Sequence, residues 1–145
     1  MSHGGEDEHS CCYVFVYGTL KRGQCRQRCW PREPVAVETG FIRGGLLDLG
    51  AYPGLLPGEG WVRGELWEFE EEDLPETLRV LDAIEGYAAG DPDNLYGREV
   101  VPVYAVPEEG EPTAEAYTYF YADLEASSRL AHLQPIAGRS YVEWI

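Results

Sequence analysis

No apolar run in this chain approaches the roughly 18 residues that a membrane-spanning helix requires. The opening ten residues, MSHGGEDEHS, lack the basic start and apolar core of a secretory signal. Basic side chains are scarce: 11 Lys and Arg stand against 26 Asp and Glu, a net charge of −15. Such a surface repels phosphate backbones and anionic lipid, so neither nucleic acid nor a membrane is expected as a partner. Internal repeats and low-complexity tracts are absent. The glycines of GEGWVRG fall at the wrong intervals for a dinucleotide fingerprint, and YGTLKRG lacks the Gly-Lys-Ser/Thr ending of a phosphate loop. These absences predict a cytoplasmic protein that handles something other than nucleotides.

What is present fits one domain. A chain of 145 residues, 44% hydrophobic, can bury a sizeable core. With 17 glycines and 10 prolines, it favours short strands joined by turns over a helical bundle. Residues 1–11 read as a flexible acidic tail and 12–145 as the single folded domain. Four cysteines, Cys11, Cys12, Cys25 and Cys29, are expected to be reduced in the cytoplasm. Cys12 should pack as a small apolar group. The spacing of Cys25 and Cys29 tolerates zinc, but their companions are an adjacent cysteine pair and the tail histidines His3 and His9, so no metal site is expected. Both lie among basic residues, which also makes them candidates for thiol chemistry.

The segment 12–17, CYVFVY, is apolar on both faces and reads as a central strand. Further strands are expected at 41–49, where glycines mark a bulge, and at 61–69, 95–106 and 115–122. The stretch 51–60, AYPGLLPGEG, has the composition of a turn. One helix is clear. Asp73 can cap it, Pro75 suits its first turn, Glu76 occupies the capping-box position, and Leu74, Leu78, Leu81 and Ile84 form an apolar stripe ending at Gly86. A short second helix is expected at 124–133 and an apolar, packed tail at 140–145. One main helix among bent strands predicts an α+β fold: a small, strongly curved mixed sheet or barrel with flanking helices.

Two places carry possible chemistry. Glu85 ends the helix one turn beyond Leu81, on the buried stripe, where the helix dipole and burial both disfavour its anion. It is either a general acid/base of raised pKa or a partly exposed side chain at a fraying end. The chain leaves its first strand through Gly18-Thr19-Leu20, whose successive amides can hold a carboxylate or an oxyanion. Gly18 would let a ligand approach the backbone. Lys21, Arg22, Arg26, Arg28 and Arg32 follow within twelve positions. They form either a solvated loop balancing nearby acids or a positive rim that attracts anions.

In order, VYGTLKRG, LGAYPGLLPGEGWVRGELW, LDAIEGY, LYGREVVPV and AYTYFY resemble the γ-glutamylcyclotransferase-like family. The likeness is to its short branch, which includes γ-glutamylamine cyclotransferase and AIG2-like proteins. The resemblance implies a compact mixed barrel with flanking helices. It implies that Tyr17, Gly18, Thr19 and Leu20 line the binding loop and that Glu85 is the catalytic acid/base. Tyr96 would border the cavity, Arg98 would make an internal ion pair, and Tyr119 and Tyr121 are wall candidates. The activity implied is intramolecular cyclotransfer on a small γ-glutamyl amide or amine, releasing 5-oxoproline and an amine or amino acid. It needs no metal and no organic cofactor, and a monomer or weak homodimer suffices. The chain departs from the family just after its opening motif, where GQCRQRCW replaces a Gly soon followed by Asn or His. That departure keeps open a non-catalytic module that binds a small anion or a partner on the same scaffold.

Overall fold

The structure, a computed structural model, describes residues 12–88, 90–91, 94–108, 110–123, 129–135 and 137–144. The expected tail, 1–11, lies outside them. Among the described residues the regular structure is five strands and one α-helix: β1 (Tyr13–Val16), β2 (Ala36–Asp48), β3 (Pro53–Glu68), α1 (Leu74–Glu85), β4 (Tyr96–Val103) and β5 (Ala114–Tyr121). Two 3₁₀ turns, Gln27–Cys29 and Glu71–Asp73, precede β2 and α1. No helix of the described residues is long and apolar enough to cross a membrane.

The sheet order is β2-β3-β1-β5-β4. β1 sits in the middle, antiparallel to β3 and parallel to β5. Its alternating side chains serve two cores, as an all-apolar strand must. Phe15 joins Ile42, Leu46, Leu55, Val62 and Val103 on one side, with Tyr17 beyond it. Val14 and Val16 join Trp67, Phe69, Leu74 and Leu81 on the other, beneath α1. The sheet curls until its two edges meet: the Phe41 amide of β2 donates to the Tyr104 carbonyl just past β4 (2.9 Å), and the Tyr104 amide returns the bond (2.8 Å). That single rung turns the curved α+β sheet into the small mixed barrel expected from the sequence.

Three expectations need correction. The stretch 51–60 is mostly not a turn, because Pro53–Gly60 is the first half of β3. Gly45 to Asp48 of β2 pair with Pro53 to Leu56, and this ladder overrides the local turn composition. Pro53 fits because it stands first in its strand, where its missing N–H matters least. The bulge is where the glycines place it, between Arg43 and Gly45. The capping box does not form. Asp73 already has helical φ and ψ as the end of the 3₁₀ turn and makes no side-chain cap. Its carbonyl accepts from Thr77 Oγ1 (2.8 Å), while Glu76 is drawn to Arg79 (2.7 Å). Half of the expected second helix, 124–128, lies outside the described residues. Its described end, 129–133, is not helical; His132 bridges Leu47 instead. The tail does pack down, with Val142 buried beside Val62 and Trp144 against the core.

α1 has the amphipathic form its stripe dictates, with Leu74 and Leu81 buried and Leu78 and Ile84 packed partly beneath it. It stops at Gly86, whose φ of 68° is open to glycine and strained for most other residues. The Gly86 and Tyr87 amides turn back to Ala83 and Asp82, closing the helix end. Glu85 is thereby fixed at a rigid terminus directly over the end of β1.

Candidate active site

Where β1 ends, the chain makes a tight turn closed by the Lys21 amide donating to the Gly18 carbonyl (3.1 Å). Among the described residues, the Gly18, Thr19 and Leu20 amides donate to no backbone carbonyl, so three N–H groups stay available. The turn is held from behind. The Leu20 carbonyl accepts from Trp30 Nε1 (2.9 Å), and Trp30 lies flat on Trp67 with ring centroids 4.2 Å apart. Lys21 is buried, donates to the Trp144 carbonyl (2.6 Å), and has its pKa lowered by that burial.

Beside the turn lies a cavity of about 580 Å³ counted out to its open mouth. Tyr17, Gly18, Thr19, Leu20, Glu85 and Tyr96 all line it, so one cavity brings together every residue singled out for the site. Tyr119 also lines it. Tyr121 does not, and packs edge-on against Tyr96 from behind.

Glu85 is half-buried, and its carboxyl has no hydrogen bond among the described residues. Burial raises its pKa to about 7, and only the positive charge of Arg26 works against this. The phenols cannot share the role. Tyr17, Tyr96 and Tyr119 are all pushed above the ordinary tyrosine value, first of all by burial. Their hydroxyls are also engaged: Tyr17 donates to the Tyr119 carbonyl (2.7 Å), Tyr96 to the Pro53 carbonyl (2.9 Å) and Tyr119 to Asp82 (2.6 Å). Asp82 also accepts from Arg98 (2.7 Å), the internal ion pair expected for that arginine. Tyr17 and Tyr96 therefore offer the cavity ring faces with engaged, neutral hydroxyls. Replacing Tyr17 by Phe should strand the buried Tyr119 carbonyl and lower stability by about 1–3 kcal/mol in urea denaturation. An unchanged midpoint would mean that this hydroxyl holds nothing.

Two readings change. Gly18 does not make room for a ligand: a Cβ there would come within 2.8 Å of Cγ and Cδ of Pro53, so the missing side chain accommodates the start of β3. The basic run is not a uniform rim. Arg22 pairs with Glu65 (3.2 Å) and Arg32 approaches Asp73 (3.8 Å), while Arg26 alone of the five lines the cavity. Tyr52 is a further lining residue, its ring 5.9 Å from the Arg26 guanidinium. Nothing local distinguishes Arg26 from its neighbours; the Tyr-Pro-Gly following β2 was the only available pointer to Tyr52. Cys25 and Cys29 are exposed free thiols outside the cavity lining, and the thiol of Cys12 is raised by burial and by Glu71.

The curved α+β fold thus brings one carboxyl of near-neutral pKa and a turn of available amides into the lining of one cavity. Comparison with known proteins makes the class specific: the chain belongs to the family described as gamma-glutamyl cyclotransferase, AIG2-like, which matches residues 14–143. It is 36% identical over 110 residues to the gamma-L-glutamyl-butirosin B gamma-glutamyl cyclotransferase of Niallia circulans, covering 74% of this chain and 65% of that protein's length. It is 31% identical to the gamma-glutamylcyclotransferase family protein ytfP of Citrobacter rodentium, covering 76% of this chain and 96% of that one. The crystal structure of an AIG2-like protein from Mus musculus superposes with a TM-score of 0.60 at 26% identity, covering 88% of this chain and 98% of the mouse protein.

Proposed function

We propose that the chain cyclises a γ-glutamyl amide or amine, releasing 5-oxoproline and the free amine or amino acid. The α-amino nitrogen of the substrate attacks its own γ-carbonyl carbon, a five-membered lactam closes, and the amide C–N bond breaks. The nucleophile is internal, so no covalent link to the protein is required. The protein holds the substrate folded, and such positioning can contribute several kcal/mol. Glu85 takes the proton that the substrate ammonium must lose and returns one to the departing nitrogen. The Gly18–Leu20 amides hold the α-carboxylate or the transient oxyanion.

One observation carries this reading: a half-buried carboxyl with a pKa of about 7 lines the same cavity as the available amides. A group of that pKa is populated in both forms near neutrality, which a shuttle needs. Family membership and the similarity to a named cyclotransferase support the same conclusion. The test is to incubate the purified protein with a panel of γ-glutamyl dipeptides and amides and follow 5-oxoproline by mass spectrometry. Release of 5-oxoproline is the expected result. Saturable binding with no turnover across the panel would replace the enzyme with a binding module.

A further inference from the structure

Arg26 is the one arginine among the described residues that lines the cavity. In a chain with 26 acidic and 11 basic residues, almost any arginine can find a carboxylate. Arg22, Arg32, Arg63, Arg79 and Arg98 each lie within 4.0 Å of one. Arg26 has no ion-pair partner among the described residues, although it is half-buried and lines the cavity. Its place is fixed: the Arg26 amide donates to the Thr19 carbonyl (2.8 Å), which folds the loop back onto the binding turn. Its guanidinium lies toward the ring of Tyr52.

Tyr17, Leu20, Pro53, Tyr96 and Tyr119 of the lining are buried, whereas Thr19, Arg26, Tyr52 and Glu85 keep partial exposure. The half of a substrate that cyclises must bring its amine to Glu85 and its polar end to the amides. The half that departs must have a path to solvent, and the partly exposed Arg26 and Tyr52 are the lining residues left to border it. An unpaired guanidinium there is matched by a carboxylate, which a planar donor fork grips through two parallel hydrogen bonds.

We propose that Arg26 is a specificity-determining residue: it engages a carboxylate on the departing half of the substrate, so the chain prefers γ-glutamyl amino acids to γ-glutamyl derivatives of neutral or cationic amines. The inference rests on the lactam-forming reading of the site and adds the class of leaving group to it. It also gives the Arg26–Glu85 proximity a use. A bound carboxylate neutralises Arg26 and removes the one charge that holds the Glu85 pKa down.

The test uses two substrates that differ only in that carboxylate, γ-L-glutamyl-L-alanine and γ-L-glutamyl-ethylamide. The parent should favour the alanine compound in kcat/KM by roughly 10- to 100-fold, the worth of a hydrogen-bonded charge. In Arg26→Gln the ratio should fall toward one, and Arg26→Lys should keep part of it. Arg26→Glu should turn the preference toward the N-(2-aminoethyl)amide, which carries a positive charge instead. Equal use of both compounds by the parent would overturn the proposal. So would a loss in Arg26→Gln that is the same for both, since that would put Arg26 on the glutamyl half. If the parent turns over neither, the lactam-forming reading fails on its own account. Calorimetric binding of the same pair to Glu85→Gln, with and without Arg26→Gln, then reads the preference directly. A preference that vanishes with Arg26 supports the assignment, and equal or absent binding ends it.

Discussion

Replacing Glu85 by Gln should lower kcat on a γ-glutamyl substrate by about 10²- to 10⁴-fold, the usual worth of a positioned acid/base. The amide keeps the size of the side chain and its hydrogen-bonding ability, so the cavity persists while the exchangeable proton is lost. In the parent, kcat/KM should climb with pH and level off above about 7, where Glu85 is ionised. Stability should move the opposite way from activity. The folded pKa of about 7 exceeds the ordinary carboxyl value of 4.5, so the native state binds the proton more tightly than the unfolded chain does. The parent is therefore favoured below pH ~4.5 and loses stability as the pH rises through about 7. Glu85→Gln escapes that loss: it should match the parent at pH 4 and exceed it at pH 8 by about 1–3 kcal/mol. Urea melts at the two pH values and one progress curve measure both effects. Parental turnover, or a variant weaker than the parent at pH 8, removes Glu85 from the proposed role.

The second large effect concerns packing. Gly64→Ala should destabilise the fold by about 2–4 kcal/mol with little change in the denaturant slope. A Cβ at this position would lie 2.5 Å from the Val16 carbonyl oxygen and 2.6 Å from Cζ of Phe15. The oxygen is backbone and cannot swing aside, and the ring fills the barrel interior. Gly40, directly across the β2–β3 ladder, likewise makes way for Val103 and the Phe15 ring. The facing pair of glycines is thus a slot that receives β1. Gly97→Ala is the matched control, since its Cβ would meet nothing within 4 Å. It should stay within about 0.5 kcal/mol of the parent, as an uncrowded substitution does. If the two alanine variants behaved alike, the slot would have no energetic meaning.

The contrast between those two glycines indicates what could be read from sequence. Whatever is decided within a few residues was legible: the stripe of α1, its stop at Gly86, the position of Glu85 on that stripe, and the two-sided burial of β1. A glycine inside an apolar strand, as Gly64 is, signals a bend or a close backbone approach, and the close approach is what occurs. Whatever is decided by a distant partner was not. Residues 53–60 look like turns until β2 is laid beside them. Gly18 looks like an opening for a ligand until Pro53, 35 positions later, takes the space. Arg26 is one of five similar side chains until the fold turns it into the cavity while Lys21, Arg22 and Arg32 find carboxylates. The cap of α1 is a local exception: Asp73 already has helical φ and ψ, and Glu76 pairs with Arg79 three residues on, which the capping pattern does not count.

The placing of β1 has a consequence in time. The segment that delivers the binding turn precedes both of its sheet neighbours in the chain. Its antiparallel neighbour ends at residue 68, and its parallel neighbour arrives only with Val14 meeting Tyr117. Thr118 then fastens the seam by donating its hydroxyl to the Phe15 carbonyl (2.9 Å). A chain emerging from the ribosome therefore carries its most apolar strand unpaired until residue 68 and half-paired from there until residue 117. Pairings this remote in sequence form late and slowly. Val14, Phe15 and Val16 are the residues left waiting, and the hollow they support exists only once β5 has been added.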